Sequence, residues 1–438
     1  MTRSSCGRAW SSRTTGSGPT TSSDDVEDVW RRCAPDVLGA VARHHGDFGR
    51  AEDAVQEALA AAARTWPADG VPDDPRAWLI TVASRRYVDA WRSDSARERR
   101  ELLAAARSPS DAFLAPAADA PGGPHHDDTL TLLVLCCHPA LPRASQVALT
   151  LRAVAGLTTA QVARAYLVPE ATMAQRISRA KAKLREAGAR FVPPSAEELP
   201  GRVAAVSEVL YLVFTEGHTT TTGSGLVDVS LADEAIRLAR ELHRLLPSDG
   251  EVTGLLALML LTHARRAARS TPDGALVPLA EQDRTRWDGA LVREGTALVE
   301  AVLPTGRVGP YQLQAAIAAV HDEAATAAET DWVQIDLLYE MLEQLAPSPV
   351  VTMNHAVAVA EVAGPRAGLA MVEPLRSDRA LRRHHRLHAV RAHLLERLGE
   401  TEEACAEYAV AAELTTSVVE QRYLNARAAV LREASTRR

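Results

Sequence analysis

The stretch that decides the fold is GLTTAQVARAYLVPEATMAQRISRAKAKL, residues 156–184. It holds two helical patterns joined by a tight turn. In the first, Thr158 stands three residues before Gln161, the spacing of a reciprocal capping box. Val162, Ala163 and Tyr166 then fall on one helical face. The second pattern opens at Pro169, whose fixed φ suits a first helical position. Glu170 beside it suits the positive end of the helix dipole. Met173, Ile177, Ala180 and Leu184 recur at i, i+4, i+7 and i+11, so one face is buried. The opposite face shows Thr172, Gln175, Arg176, Arg179 and Lys183, side chains suited to donating to a DNA major groove. The pattern is a helix-turn-helix.

Composition supports a nucleic-acid partner for this segment. The only two lysines of the chain, Lys181 and Lys183, both lie on its second helix. From Arg164 to Arg190 there are seven basic residues against Glu170 and Glu186. The plainer reading is an amphipathic helix with a solvated basic face. The segment also resembles the promoter-reading helix-turn-helix of extracytoplasmic-function (ECF) RNA polymerase sigma factors. Leu157, Thr158, Val162, Ala163, Val168, Pro169, Thr172, Arg176, Ile177, Arg179, Ala180 and Leu184 match that family's pattern. Leu167 and Ala171 stand where the family usually has Gly, and Ala174 where a Lys is common. The resemblance implies that Thr172, Gln175, Arg176, Arg179 and Lys183 read the −35 promoter element.

A chain of 438 residues has room for about two to four domains. Aromatics make up only 4% and alanine is abundant, which favours closely packed helices and an all-α fold class. The longest dense apolar run, residues 255–261, is far too short to span a bilayer. The start carries no apolar signal-peptide core. Five scattered cysteines make no disulfide framework, and a reducing cytoplasm is the expected compartment. The net charge of −7 is unevenly split. Residues 1–194 carry 25 Lys/Arg and 22 Asp/Glu, a net of +3, whereas residues 195–438 carry 24 Arg and 34 Asp/Glu, a net of −10. Only the first half suits a polyanion, so the chain has two jobs.

Residues 1–23 are Ser, Thr, Gly and Arg without periodicity, and are expected to be a disordered tail or an over-extended start. Residues 24–100 read as helical, with Val29, Val37, Leu38, Val41, Phe48, Ala51, Val55 and Leu59 in helical register. AEDAVQEAL, residues 51–59, places Asp53, Gln56 and Glu57 on an exposed face. By resemblance this is the segment of sigma domain 2 that binds the clamp-helix coiled coil of core RNA polymerase. Asp73, Asp74 and Pro75 start the next helix. Arg76 to Arg100 holds seven arginines against three acids, and aromatics among arginines suit single-stranded DNA. Trp78, taken alone, reads as a core tryptophan. The block resembles the family's melting and −10-reading segment, which assigns Trp78, Arg85, Arg86, Asp89 and Arg92 to the −10 element. Arg85 replaces a frequent Asn, and Trp91 a usual Leu.

Residues 103–124 are rich in Ala, Pro, Ser and Asp and read as a linker that lets two modules reach separate promoter elements. Cys136, Cys137 and His138 are adjacent, which suits a buried helix end better than a metal site.

Residues 199–438 read as a second, larger helical region. Helices are expected over 202–214, 233–246, 251–269, 280–303, 311–320 and 331–345, with a polar loop at 215–228. Residues 354–375 and 390–414 align with Gly364 over Gly399 at a period of 35, near that of a tetratricopeptide repeat. In the second copy Gly399, Ala404, Tyr408 and Ala411 fit the repeat spacing. In the first, Leu369 occupies the usual small position. No phosphate loop, nucleophile elbow or metal-helix motif is present. DRTRWD (residues 283–288) and GPYQLQAAIAAVH (residues 309–321) are polar and aromatic enough to line a groove, with helix-terminal salt bridging the preferred reading. Both runs resemble the C-terminal extension of one ECF group, so the resemblance covers about residues 26–435.

The combined expectation is a non-enzymatic ECF sigma factor without cofactor or metal. Residues 24–102 form sigma domain 2, 103–124 a linker, 125–190 the helix-turn-helix sigma domain 4, and 199–438 a tetratricopeptide-like domain. Its partners are core RNA polymerase, promoter DNA and a regulatory protein at the C-terminal domain, and no membrane. The rival is a helix-turn-helix activator with a helical sensor domain, which has no need of the 78–100 block or of Asp53, Gln56 and Glu57. A peptide-binding scaffold, the third reading, leaves the basic recognition helix unexplained.

Overall fold

Short acidic caps set the first helices. Asp47 accepts from the backbone amide of Arg50 at 3.1 Å, and Asp74 from that of Ala77 at 2.9 Å. They open α2 (Phe48–Asp69) and α3 (Pro75–Leu103), which follow α1 (Ser23–His45). Helix α2 stops at Gly70, whose φ of 86° favours a residue without Cβ. The computed structural model describes residues 23–103, 126–166, 168–219, 231–306, 308–379, 381–415 and 417–436. The expected tail before residue 23, nearly all of the linker, Leu167 and the polar residues 220–228 lie outside them. The described residues are helical with no strand, apart from one isolated bridge between Ser270 and Leu276.

The chain divides into two compact units. One comprises residues 1–163 and 168–195, the other 164–167 and 196–438. In the first, α1, α2 and α3 enclose Val37, Leu38, Val41, Ala51, Val55, Leu59, Leu79 and Ala83. Trp66 is buried, and Trp78 meets it edge to face at 5.4 Å. Then come α4 (His126–Cys136), α5 (Arg143–Ala153), α6 (Thr159–Ala165) and α7 (Glu170–Glu186). Leu132, Leu133, Leu149, Leu151 and Leu157 form their core together with Met173, Ile177, Ala180 and Leu184 of α7. Pro169 is not the first helical residue. It stands in the cap position, and α7 begins at Glu170.

The second unit runs α8 (Leu199–Thr219), α9 (Leu231–Leu245), α10 (Gly250–Ala264), α11 (Gly289–Val302), α12 (Pro310–Glu323), α13 (Trp332–Leu345), α14 (Pro349–Val362), α15 (Pro365–Val372), α16 (His385–Leu398), α17 (Thr401–Leu414) and α18 (Val418–Thr436). Successive helices pack on one another, with α10 buried on nearly all sides. Three expectations are corrected. Helix α8 continues through residues 215–219, which were expected in a loop. The helix expected from 280 starts only at Gly289, because Asp283 caps a short 3-10 turn and Asp288 then caps α11. Helix α10 likewise ends at Ala264, short of 269.

The two repeat copies form helix pairs α14–α15 and α16–α17, and Gly364 and Gly399 turn between them with φ of 93° and 81°. Ala404 and Tyr408 are buried in the second copy. In the first, the small residue at the closest approach is Gly368, against the Ala356 carbonyl and Ala360. It lies one position before Leu369 because α15 starts directly after its glycine, while α17 starts two residues after Gly399.

Candidate nucleic-acid interface

The helix-turn-helix is built by local hydrogen bonds. Thr158 donates its backbone N–H to Gln161 Oε1 at 2.8 Å, and Gln161 returns its own to Thr158 Oγ1 at 3.2 Å. The buried face of α7 then turns the opposite face outward. Thr172, Gln175, Arg179 and Lys183 are exposed, and Arg176 is half-buried. All five line one open groove of about 410 Å³ with Leu141, Pro142 and Ser145. The last three come from the start of α5, far away in sequence, and no spacing rule links them to α7. The groove combines two arginines, a lysine, an amide and two hydroxyls, a donor set suited to phosphates and base edges.

A second basic surface runs along α3. Arg85, Arg86, Asp89 and Arg92 are exposed there. Trp78 is half-buried against Trp66, which places it in the packing of the module and not on the basic face. Trp91 instead is 49% exposed beside Arg92. Its helical position next to an arginine was the only signal that could have singled it out.

The carboxylates of α2 form a third surface. Asp53 and Glu57 are exposed and Gln56 is half-buried. Glu57 lies 3.7 Å from Arg86, an exposed pair of small energetic weight. Asp53 accepts from Lys181 Nζ at 2.5 Å. Beside it Glu52, only 1% exposed, accepts from Arg152 Nε at 3.0 Å and from Lys181 Nζ at 2.6 Å. Burial alone would lower the Lys181 pKa, but Glu52 and Asp53 outweigh it and hold the ammonium above its usual range. Sequence reasoning passed over Glu52. The register Phe48, Glu52, Val55, Leu59 nevertheless repeats at i, i+4, i+7 and i+11, which puts a carboxylate in a core column. On α1, Arg43 donates to Asp128 of α4 through Nε at 3.2 Å.

The Cys136–Cys137–His138 run is a packed helix end. Both thiols are buried, Cys137 Sγ lies 3.7 Å from Thr150 Oγ1, and burial pushes the Cys137 thiol up to about 12. His385 and His388 each meet a carboxylate, Glu420 at 3.2 Å and Glu407 at 2.6 Å. No group of three or more metal-ligating side chains is found among the described residues.

Comparison with known families agrees with this geometry. Residues 29–97 match Sigma-70 region 2, residues 131–184 match Sigma-70 region 4, and residues 202–303 match a family of unknown function, DUF6596. "Probable ECF RNA polymerase sigma factor SigI" of two Mycobacterium tuberculosis strains, CDC 1551 / Oshkosh and H37Rv, is 33% identical over 163 residues. That match spans 37% of this chain and 55% of SigI. "Uncharacterized protein R00370" of Rhizobium meliloti is 45% identical over 394 residues, 89% of this chain and 92% of its own length. No solved structure matches.

The chain belongs to the ECF sigma factors.

A sigma factor binds core RNA polymerase and promoter DNA to start transcription, and is an initiation factor, not a catalyst. The region 2 match of this sigma factor covers α2 and the basic part of α3, and the region 4 match covers α5 to α7. Among its described residues no helix is long and apolar enough to cross a membrane.

Proposed function

We propose that this sigma factor reads a −35 element with Thr172, Gln175, Arg176, Arg179 and Lys183, and opens a −10 element with the basic face of α3. The observation that carries the reading is the groove at α7. It gathers all five expected side chains on one open surface with the start of α5. Arg85, Arg86, Asp89 and Arg92 hold the strand backbone on α3. Trp91 offers an exposed ring for base stacking, while Trp78 supports the helix from within. Asp53, Gln56 and Glu57 face core polymerase. On this reading residues 24–102 and 125–190 are the two promoter modules, joined through 103–124. The helical array of residues 199–438 is a regulatory or partner-binding domain in the cytoplasm.

Transcription with purified core polymerase tests the reading. The protein alone, with no other sigma subunit, directs core to a promoter carrying its two elements. Tight duplex binding without core-dependent transcription would replace this reading with that of a helix-turn-helix activator.

A further inference from the structure

Helix α9 carries Arg237, Arg240 and Arg244 at i, i+3 and i+7, on one face. They border an open cavity of about 530 Å³ between α9, the end of α10 and the start of α11, and Arg266 joins them from just past α10. Ile236 and Leu291 give the cavity an apolar wall. Carboxylates hold two of the guanidiniums along one edge. Arg237 donates through Nε and Nη2 to the buried Glu234 at 3.0 and 2.6 Å. Arg240 donates through the same two nitrogens to Glu294 of α11 at 3.1 and 2.7 Å. The Nη1 group of each makes no hydrogen bond among the described residues. Two further carboxylates mark the other end. The Asp288 amide donates to the Ala264 carbonyl at 2.9 Å, which brings the start of α11 to the end of α10. Asp288 Oδ1 caps α11, and its Oδ2 accepts nothing among the described residues. Asp233 Oδ1 lies 2.8 Å from Nε2 of the buried His263 and accepts from Arg266 Nη1 at 3.1 Å. The DRTRWD run thus supplies one wall of the cavity, and all of the lining falls within residues 202–303, the segment matched by DUF6596.

We infer that this cavity is a binding site for a nucleoside polyphosphate. Exposed ion pairs add little stability, so arginines steered by carboxylates around a hollow do more as donors to an anion. Guanidinium N–H groups pair with phosphate oxygens directionally, and donors already held in place spare the cost of ordering them. The arginine row on α9 spans about 10 Å, the reach of a di- or triphosphate. Asp233 and Asp288 repel phosphate, so the charged end of the ligand lies along the α9 row and its uncharged end at the carboxylates. There Asp288 accepts from hydroxyl or amino groups, which a ribose and a base both offer, and Ile236 and Leu291 pack against a ring. The volume is that of a small-molecule pocket, a class of about 300–1,000 Å³. The site stands on contacts within the second unit alone and does not depend on the promoter reading.

Calorimetric titration of the full-length protein tests the site, with GTP and ATP as probes, each without added metal so that guanidiniums meet the phosphates. At least one nucleotide is expected to bind once per chain, and binding by neither overturns the site. Inorganic pyrophosphate is expected to bind at least about tenfold more weakly, since it lacks the groups that meet Asp288 and the apolar wall. Equal affinity makes diphosphate the whole ligand and overturns the nucleoside assignment. Arg240 and Arg266 are exposed, so Arg240→Gln with Arg266→Gln leaves the fold intact. That variant is expected to weaken the nucleotide at least about tenfold, whereas Arg176→Ala with Lys183→Ala leaves its affinity unchanged. Binding that survives in the first variant overturns the site, and loss in the second places the nucleotide on the α7 groove and overturns it equally. Asp288→Asn keeps an oxygen to cap α11, so it is expected to weaken the nucleotide and spare pyrophosphate. Equal loss of both overturns the orientation. Hydrogen exchange of the unaltered chain needs no variant. The nucleotide is expected to slow exchange in α9 and at the start of α11, and not in α7. Unchanged exchange in α9 at saturating nucleotide overturns the site.

Discussion

Glu251, in the first turn of α10, accepts the backbone N–H of Gln312 at 3.2 Å at the opening of α12. The same carboxylate accepts from the Tyr311 amide at 3.1 Å, so one helix supplies the N-terminal cap of another. The approach is close enough to exclude side chains. A Cβ on Gly254 would lie 2.6 Å from the Gln312 nitrogen, and one on Gly309 would collide with the Glu251 carboxylate. The Gly-Pro-Tyr-Gln run is thus a docking joint. Glu251→Ala should cost about 1–3 kcal/mol through two orphaned amides, and Glu251→Gln clearly less, as it keeps an acceptor. Thermal melts of the full chain read both. An unshifted transition in Glu251→Ala would show that water replaces the cap.

Arg284 and His321 extend the same joint to the far end of α12. The Arg284 guanidinium sits 4.8 Å over the Trp287 ring and donates to the His321 carbonyl at 2.5 Å. Burial first, then Arg265 and Arg284, lower the His321 pKa to about 3. Its folded value is depressed below the unfolded 6.5, so the unfolded chain binds the extra proton between those limits. Stability is therefore intact above pH 6.5 and falls as pH drops towards 3, by roughly 2 kcal/mol between pH 7 and pH 5. Urea unfolding at those two pH values checks the slope. His321→Gln should flatten it by that amount, and an unchanged slope would assign the effect to other groups.

How much of this was legible in the sequence depends on the distance over which each feature is specified. The Thr158–Gln161 box needs only three residues, and the buried column of α7 only its own period, so both were readable. The aspartate caps at 74 and 331 are local too, and the Asp331 carboxylate accepts from the Gln334 amide at 2.9 Å. The register of α2 put Glu52 in a core column, but its partners were not readable, because Arg152 and Lys181 lie about a hundred residues away. Gly368 was missed because a one-residue difference in helix start shifts the repeat register. The continuation of α8 past Phe214 overrode a run of polar residues, since Gly217 packs against Leu231 and Ala232 at the start of α9.

Base reading and phosphate anchoring should separate on α7. Gln175→Ala and Arg176→Ala are expected to lower discrimination at the upstream element by about 1–3 kcal/mol each. Lys183→Ala should weaken every sequence alike and reduce the salt slope by about one. Binding isotherms on cognate and scrambled duplexes at several salt concentrations provide the comparison. Equal losses on both duplexes for Gln175→Ala would make its contact positional.

Charge reversal on α2 tests the proposed polymerase face. Asp53→Arg with Glu57→Arg places two cations where a complementary surface must dock, and also breaks the pairs to Lys181 and Arg86. Both carboxylates are exposed, so the fold survives. Core polymerase binding is expected to be lost in this double variant. Normal core affinity would remove Asp53 and Glu57 from the polymerase interface.

The last expectation concerns the helical array. Each unit has its own core, the first around Leu38, Val55 and Leu149 and the second around Leu256, Leu313 and Leu394. A chain ending after Phe191 should therefore keep the helicity and cooperative melting of the first unit. Its duplex binding should persist, since the α7 groove belongs wholly to that unit. Promoter-specific transcription is the quantity at issue. The array contributes long, continuously packed helices and an acidic surface tethered at high effective concentration to a basic partner module. Were it a removable cover, truncation would raise transcription. Its closely fitted joints, with Gly254 and Gly309 shaped to single neighbours, suit a structural member, so truncation is expected to abolish transcription while sparing duplex binding. Run-off transcription by core polymerase with the full and shortened chains decides the sign, and equal activity together with equal core affinity would remove the array from initiation altogether.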